Sequence, residues 1–185
     1  MNGVKSLLII ISGPAGAGKS YCASKLAEIY GIPHYSIGQL FRKIAMERNL
    51  TIEELSKIAE KDPSIDGELD RRTMELAKKG GCIIEGRLVL FFSRSYPNKL
   101  SFYLNAPFEE RIKRIASREG ISLNEAEKRT KMRELSEKIR YKSLYNIDID
   151  DLSVYDFVIN TAKWNKEEII LLLKQIIDLY LKLRC

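Results

Sequence analysis

The chain has 185 residues, 45% hydrophobic and 30% charged, the balance of an ordinary globular protein rather than a disordered or fibrous one. That length fits one domain burying roughly 70% of the surface its unfolded form would expose. Lys and Arg outnumber Asp and Glu by 31 to 25, and the resulting charge of +6 suits phosphate-bearing ligands as well as nucleic acid.

Met1 to Lys5 lead straight into an apolar run with no small-residue cleavage site, so a cytoplasmic chain is expected. Cys22, Cys82 and Cys185 are scattered, so neither a disulfide framework nor a zinc site is expected. The two longest apolar runs, residues 7–11 and 169–173, fall far short of the ~20 residues that cross a bilayer.

Residues 5–12 read as a buried strand, because Leu7 to Ile11 is continuously apolar and mostly β-branched. A glycine-rich turn follows, then a helix over about 19–30 that Gly31 and Pro33 stop. Residues 34–36, 82–85, 100–104 and 156–160 complete a set of five strands alternating with helices, the pattern of a mostly parallel, doubly wound sheet. Residues 37–79 are too long for a crossover and carry helical patterns over 38–48, 51–61 and 64–79. A capping box (Thr51, Glu54) opens the second, and Asp62-Pro63 separates it from the third. A helix from near Pro107 to Gly120 is followed by a densely charged one from Ser122 to about Tyr145, whose mixed signs predict a solvated, mobile cover. The amphipathic segment 166–183 is expected to pack on the sheet.

The chemistry is concentrated in Gly13-Pro14-Ala15-Gly16-Ala17-Gly18-Lys19-Ser20, which satisfies G-x-x-x-x-G-K-[ST] between a buried strand and a helix. Glycines let several backbone N–H groups turn inward around a phosphate, and the positive end of the helix favours the same anion. Lys19 reaches the β and γ phosphates, Ser20 is placed to ligate Mg²⁺, and Tyr21 ends the ATP-binding segment. No D-x-x-G occurs, and Asn98-Lys99-Leu100-Ser101 lacks the acid of a guanine-reading N-K-x-D, which disfavours a GTPase switch.

After the second strand, Ser36-Ile37-Gly38-Gln39-Leu40-Phe41-Arg42 offers a polar cap, a permissive glycine and an Arg that would grip a second phosphate. Glu85-Gly86-Arg87 closes the third strand with an acid and a base on either side of a glycine. Arg111, Arg114 and Arg118 share one helical side, and Arg133 and Arg140 stand two turns apart on the charged helix. Together these five predict a phosphate clamp.

These stretches resemble the nucleoside monophosphate kinases, and the whole pattern resembles the compact cytidylate kinases of archaea over nearly the full chain. The likeness rests on Gly13 to Ser20, Ser36 to Arg42, Ile65 to Arg72, Glu85 to Arg87, Arg133 to Tyr141, and Asn146 to Ser153 running into Val158 to Thr161. It implies an α/β fold with a P-loop NTPase core and a five-stranded parallel sheet flanked by helices. The core is expected at 1–36, 80–117 and 146–185, a helical acceptor-binding insert at 37–79 and a short helical lid at about 118–145. The activity implied is transfer of the γ-phosphoryl group of ATP to CMP or dCMP with Mg²⁺, by an expected monomer without membrane or nucleic-acid partners.

In that reading Lys19, Arg87, Arg118, Arg133 and Arg140 stabilise the transferring group, with Ser20 and Glu85 organising Mg²⁺. Ser36, Gly38, Arg42, Asp66, Asp70, Arg71 and Arg87 bind the acceptor, and a carboxylate beside a guanidinium (Asp66 or Asp70 with Arg71) reads cytosine. Tyr21 and Ala17 depart from residues common in the family, and the base-reading residues of bacterial relatives do not map onto this chain. An adenylate or another pyrimidine monophosphate kinase remains open, although Ile37 and Leu88-Val89-Leu90 differ from the adenylate kinase pattern. So does an ATP-binding RNA-associated protein, for which the chain offers charge but no aromatic platform. His34 and Trp164 are expected to be structural.

Overall fold

The computed structural model describes residues 3–184; Met1, Asn2 and Cys185 lie outside the described residues. Its centre is a five-stranded sheet in which every pair is parallel, with strands β1 (Leu8–Ser12), β2 (His34–Ser36), β3 (Cys82–Glu85), β4 (Lys99–Asn105) and β5 (Phe157–Asn160) in the order β2-β3-β1-β4-β5. Helices α1 (Lys19–Tyr30) and α8 (Lys166–Arg184) cover one face, and α4 (Pro63–Lys79) with the short α5 (Val89–Phe92) covers the other.

The apolar run of β1 follows from this layering. Ile9 and Ile11 pack with Leu26, Phe102, Leu173 and Ile177 on the α1–α8 face, while Leu8 and Ile10 pack with Ala77, Ile84 and Leu90 on the other. A central parallel strand has no solvated face, so both alternating sets must be apolar. The strand begins at Leu8 rather than Lys5, because Gly3–Ser6 forms a 3₁₀ turn. α5 was not expected, since four residues are too few to show a helical period.

Residues 37–79 form a helical insert with its own small core. α2 (Ile37–Glu47) is capped by Ser36, whose hydroxyl accepts from Gln39 N at 3.1 Å. α3 (Ile52–Ala59) carries the full capping box, Glu54 N to Thr51 Oγ1 at 3.1 Å and Thr51 N to Glu54 Oε2 at 2.8 Å. Asp62 caps α4 and Pro63 occupies its first turn, where a missing N–H costs nothing. Phe41, Ile44, Leu55, Ala59, Ile65 and Leu69 close the centre of these three helices.

Beyond β4, α6 (Phe108–Glu119) and α7 (Leu123–Tyr145) make a hairpin around Gly120, packed through Ile112, Ile115, Ala116 and Ala126. The 23-residue α7 departs from the solvated cover its charge predicts. Thr130, Ser136, Glu137, Arg140 and Tyr141 are buried, and α7 also packs on α3. Its inward charges find opposite charges on other elements, partners that a single-helix reading does not contain. Among the described residues no helix is long and apolar enough to cross a membrane.

Candidate active site

A cavity of about 690 Å³ opens at the carboxyl ends of β1 and β3, between the insert and the α6–α7 hairpin, where ligands bind in open α/β sheets. One wall is the loop between β1 and α1. Gly13 has φ +138°, and a Cβ there would stand 2.0 Å from Leu104 O, so only glycine allows the chain to leave β1 this way. Gly18 caps α1 in the left-handed region with no side-chain cap, which leaves the first amides of the helix for an anion. Ala15, Gly16, Gly18, Lys19, Ser20 and Tyr21 line the cavity, while Gly13, Pro14 and Ala17 shape the loop behind it.

Lys19 Nζ donates to Pro14 O at 2.8 Å. Burial, reinforced by Arg87, pulls its ammonium down to about 7, despite the opposing effect of Glu85. Ser20 Oγ donates to Glu85 Oε1 at 2.7 Å, and His34 Nε2 lies 3.8 Å from the same oxygen. Burial lowers the His34 pKa, so at neutral pH it is no counter-ion to Glu85. The Ser20 hydroxyl and Glu85 carboxylate are hard oxygen ligands side by side. They fit Mg²⁺, which usually takes one or two protein oxygens and fills the rest with phosphate and water.

The arginines divide into two groups. Arg111 donates to Ala15 O at 3.0 Å, and Arg114 donates to Gly16 O at 3.3 Å and to Thr161 Oγ1 at 3.0 Å. Both brace carbonyls of the glycine loop, and Arg111 lies behind the cavity wall rather than in the clamp expected of it. Arg42, Arg87, Arg118, Arg133 and Arg140 line the cavity itself, and Arg114 lines it as well while bracing the loop. Arg118, paired with the neighbouring Glu119, stands exposed at the mouth. Arg87 pairs with Glu137 at 2.9 Å and with Glu134 at 3.2 Å, and Glu134 also holds Arg111 at 2.7 Å. Burial alone would lower the Arg87 pKa, but these carboxylates raise it above its usual value. Glu137 in turn is held down to about 2 by Arg87 and Arg133, against the upward pull of burial.

The far end of the cavity meets α4. Asp66 and Arg140, each 4% exposed, face each other at 3.6 Å, and Arg140 lies over the Phe41 ring. Asp66 Oδ2 and Arg140 Nε and Nη1 are buried without a hydrogen-bond partner. Their ion pair is too long for a hydrogen bond, so carboxylate and guanidinium both keep hydrogen-bonding capacity for a ligand. Asp70 lines the same end and accepts from the Tyr145 hydroxyl, with burial pushing its carboxyl up to about 6. Arg71 does not join them. One residue beyond Asp70 it turns about 100° around α4, faces solvent, and pairs with Glu75 at 2.8 Å. The guanidinium beside Asp66 is therefore Arg140, from a helix 74 residues away in sequence. Ser36 and Gly38 complete this side.

Sequence reasoning passed over Glu137, Glu134, Phe41, Tyr141 and Lys166. The i,i+4 spacing of Arg133 and Glu137 was visible, yet it reads equally well as a surface pair. Lys166 stands 5.5 Å from the Tyr21 ring at the cavity edge, joined only by the fold.

A sequence model of the cytidylate kinase-like family matches residues 8–163. The chain belongs to this family. It is 44% identical over 172 residues to a cytidylate kinase of Pyrococcus horikoshii, covering 93% of this chain and 88% of that protein. It is also 44% identical over 176 residues to one of Staphylothermus marinus, covering 95% and 99%. Among solved structures, a shikimate kinase from Bacteroides thetaiotaomicron aligns at a TM-score of 0.61 and 14% identity over 93% of this chain and 98% of that one, a likeness of fold alone. The fold is that of a P-loop kinase, and the chain is an enzyme of the nucleotide kinase class.

Proposed function

We propose that the enzyme transfers the γ-phosphoryl group of ATP to CMP or dCMP, releasing ADP and CDP or dCDP. The observation that carries this reading is one cavity with two unlike ends. Backbone amides and Lys19 line one end, and the Asp66 carboxylate and Arg140 guanidinium, paired at 3.6 Å without a hydrogen bond, line the other. ATP lies with its phosphates on residues 13–20 and its base toward Tyr21. The acceptor lies between Ser36, Gly38 and Arg42 on one side and Asp66, Asp70 and Arg140 on the other. Residues 37–79 act as the acceptor-binding insert, and residues from about 118 to 145 act as the lid.

Cytosine suits Asp66 and Arg140. Its exocyclic amine donates to a carboxylate, while its ring nitrogen and O2 accept from the Arg140 guanidinium, whose Nε and Nη1 make no hydrogen bond. Uracil offers an oxygen where cytosine has the amine and so faces Asp66 with like polarity. Adenine matches the amine and one ring nitrogen but has no acceptor in place of O2.

The acceptor phosphate oxygen is already an adequate nucleophile, so the protein's work is to align two anions and spread negative charge. Lys19, Arg87 and Arg133 supply that charge inside the cavity, Arg118 supplies it at the mouth, and the closed hairpin keeps water out, while Arg140, expected among them, is given to the base. Mg²⁺ held with Ser20 and Glu85 would neutralise donor phosphate charge.

A coupled assay offering CMP, dCMP, UMP, dTMP and AMP in turn tests the reading. Efficiency on CMP or dCMP is expected to exceed that on the others by roughly 10²-fold or more, since Asp66 and Arg140 are left unpaired by the wrong base. A preference for AMP or UMP would refute the assignment.

A further inference from the structure

Glu137 is a carboxylate in a pocket built for phosphates, where a negative charge opposes the ligand. Its side chain is 5% exposed and lies between guanidiniums from two separate parts of the fold. Arg133, one turn earlier on α7, donates from Nε to Oε1 at 2.9 Å. Arg87, just after β3, brings its Nε to 2.9 Å from Oε2. Neither contact involves a group that changes covalently in phosphoryl transfer.

The cations around it supply the reason for its presence. Lys19, Arg87, Arg133 and Arg140 border one cavity, and buried like charges repel. Without an internal anion, the free enzyme would hold Arg87 and Arg133 apart. Each would then be reset on every turnover, and a misplacement of about 1 Å is enough to cost roughly 10²-fold in rate.

We propose that Glu137 is a positioning residue for phosphoryl transfer, tying Arg87 and Arg133 into a single cationic unit of fixed spacing without touching substrate. It acts on the barrier rather than on nucleotide affinity.

The alternative is that Glu137 merely occupies the phosphate site and obstructs binding. The isosteric Glu137→Gln variant separates the two, because it keeps shape and the hydrogen bond from Arg133 but loses the charge. Positioning predicts a kcat lower by about 10- to 100-fold, with KM for ATP and for the acceptor within about threefold of the parent. Arg133→Lys combined with Glu137→Gln should be no more than about twofold slower than Arg133→Lys alone, since residues acting as one unit do not add.

A Glu137→Gln enzyme with kcat within about twofold of the parent, or with tighter nucleotide binding at unchanged kcat, overturns the proposal. Should Glu137→Gln not fold, Glu137→Asp decides: it keeps the charge but retreats by one methylene and bridges only one arginine. A severalfold lower kcat supports positioning, and parental kcat overturns it. The proposal rests on the phosphoryl-transfer reading. A parent inactive on every monophosphate ends that reading, whereas an unaffected variant of an active parent ends only this one.

Discussion

The two walls of the cavity are built on opposite principles. The phosphate loop is contiguous, uses main-chain amides and shapes itself through glycine φ angles, as at Gly13 and Gly18. The opposing wall is assembled from α2, α4, the segment after β3 and α7, and its working groups are side chains held by other side chains. A backbone site is rigid because the helix and strand flanking it are rigid. A side-chain site of four cations needs internal carboxylates, here Glu134, Glu137 and Asp66, before it holds together empty.

The sharpest way to break that comparison is Lys19→Met, which removes the loop's cationic side chain while leaving its amides in place. Loss of a positioned cation on the transferring phosphate should lower kcat by about 10³-fold or more, measured at saturating ATP and acceptor. A fall below about tenfold would mean that amides and arginines carry the charge without it.

Arg111→Ala sharpens the contrast, because Arg111 pairs with the arginine wall's Glu134 but serves the loop. It holds Ala15 O at 3.0 Å. Its loss frees a loop carbonyl and should raise KM for ATP roughly tenfold, the worth of one hydrogen bond to a charged group, with the acceptor KM little changed. Equal effects on both substrates would show that Arg111 matters through Glu134 instead.

The same contrast explains what could be read in advance. The order of strands and helices, the loop, the caps at Ser36 and Thr51 and the break at Asp62-Pro63 are local patterns, and the structure places each within a few residues of its expected position. The acceptor end was half legible. Asp66 and Asp70 are one turn apart and share a helix face, so the sequence puts them together. The cation beside them depends on how α7 crosses α4, which no spacing encodes, and the adjacent Arg71 was the wrong partner for that reason. The charged α7 misled for a related cause: a buried salt-bridged face and a solvated one have the same composition. Glu137 differs from Glu127 only in what the rest of the chain brings to it.

The smallest expected effect concerns the cost of the side-chain wall. Burial holds the Asp70 carboxyl at about 6 in the folded protein, against a usual value of 3.8, even though Tyr145 donates to it. Between those two values the folded state binds more protons than the unfolded one, so stability falls as pH rises from about 4 to about 6 and levels off above. Asp66, raised in the same direction by burial, adds to the slope. Glu137, held at about 2 against a usual value of 4.5, works the other way: the unfolded state still binds its proton at the acid end of this window, so its contribution to stability rises with pH and levels off above about 5. Asp70→Asn removes one titrating group while keeping an acceptor for Tyr145. Thermal melts from pH 4 to 7 should show a shallower decline than in the parent, with a midpoint at pH 7 higher by up to roughly 3 °C. An unchanged slope would mean that Asp70 ionises as freely as a surface carboxylate, and that this end of the cavity is wetter than its packing indicates.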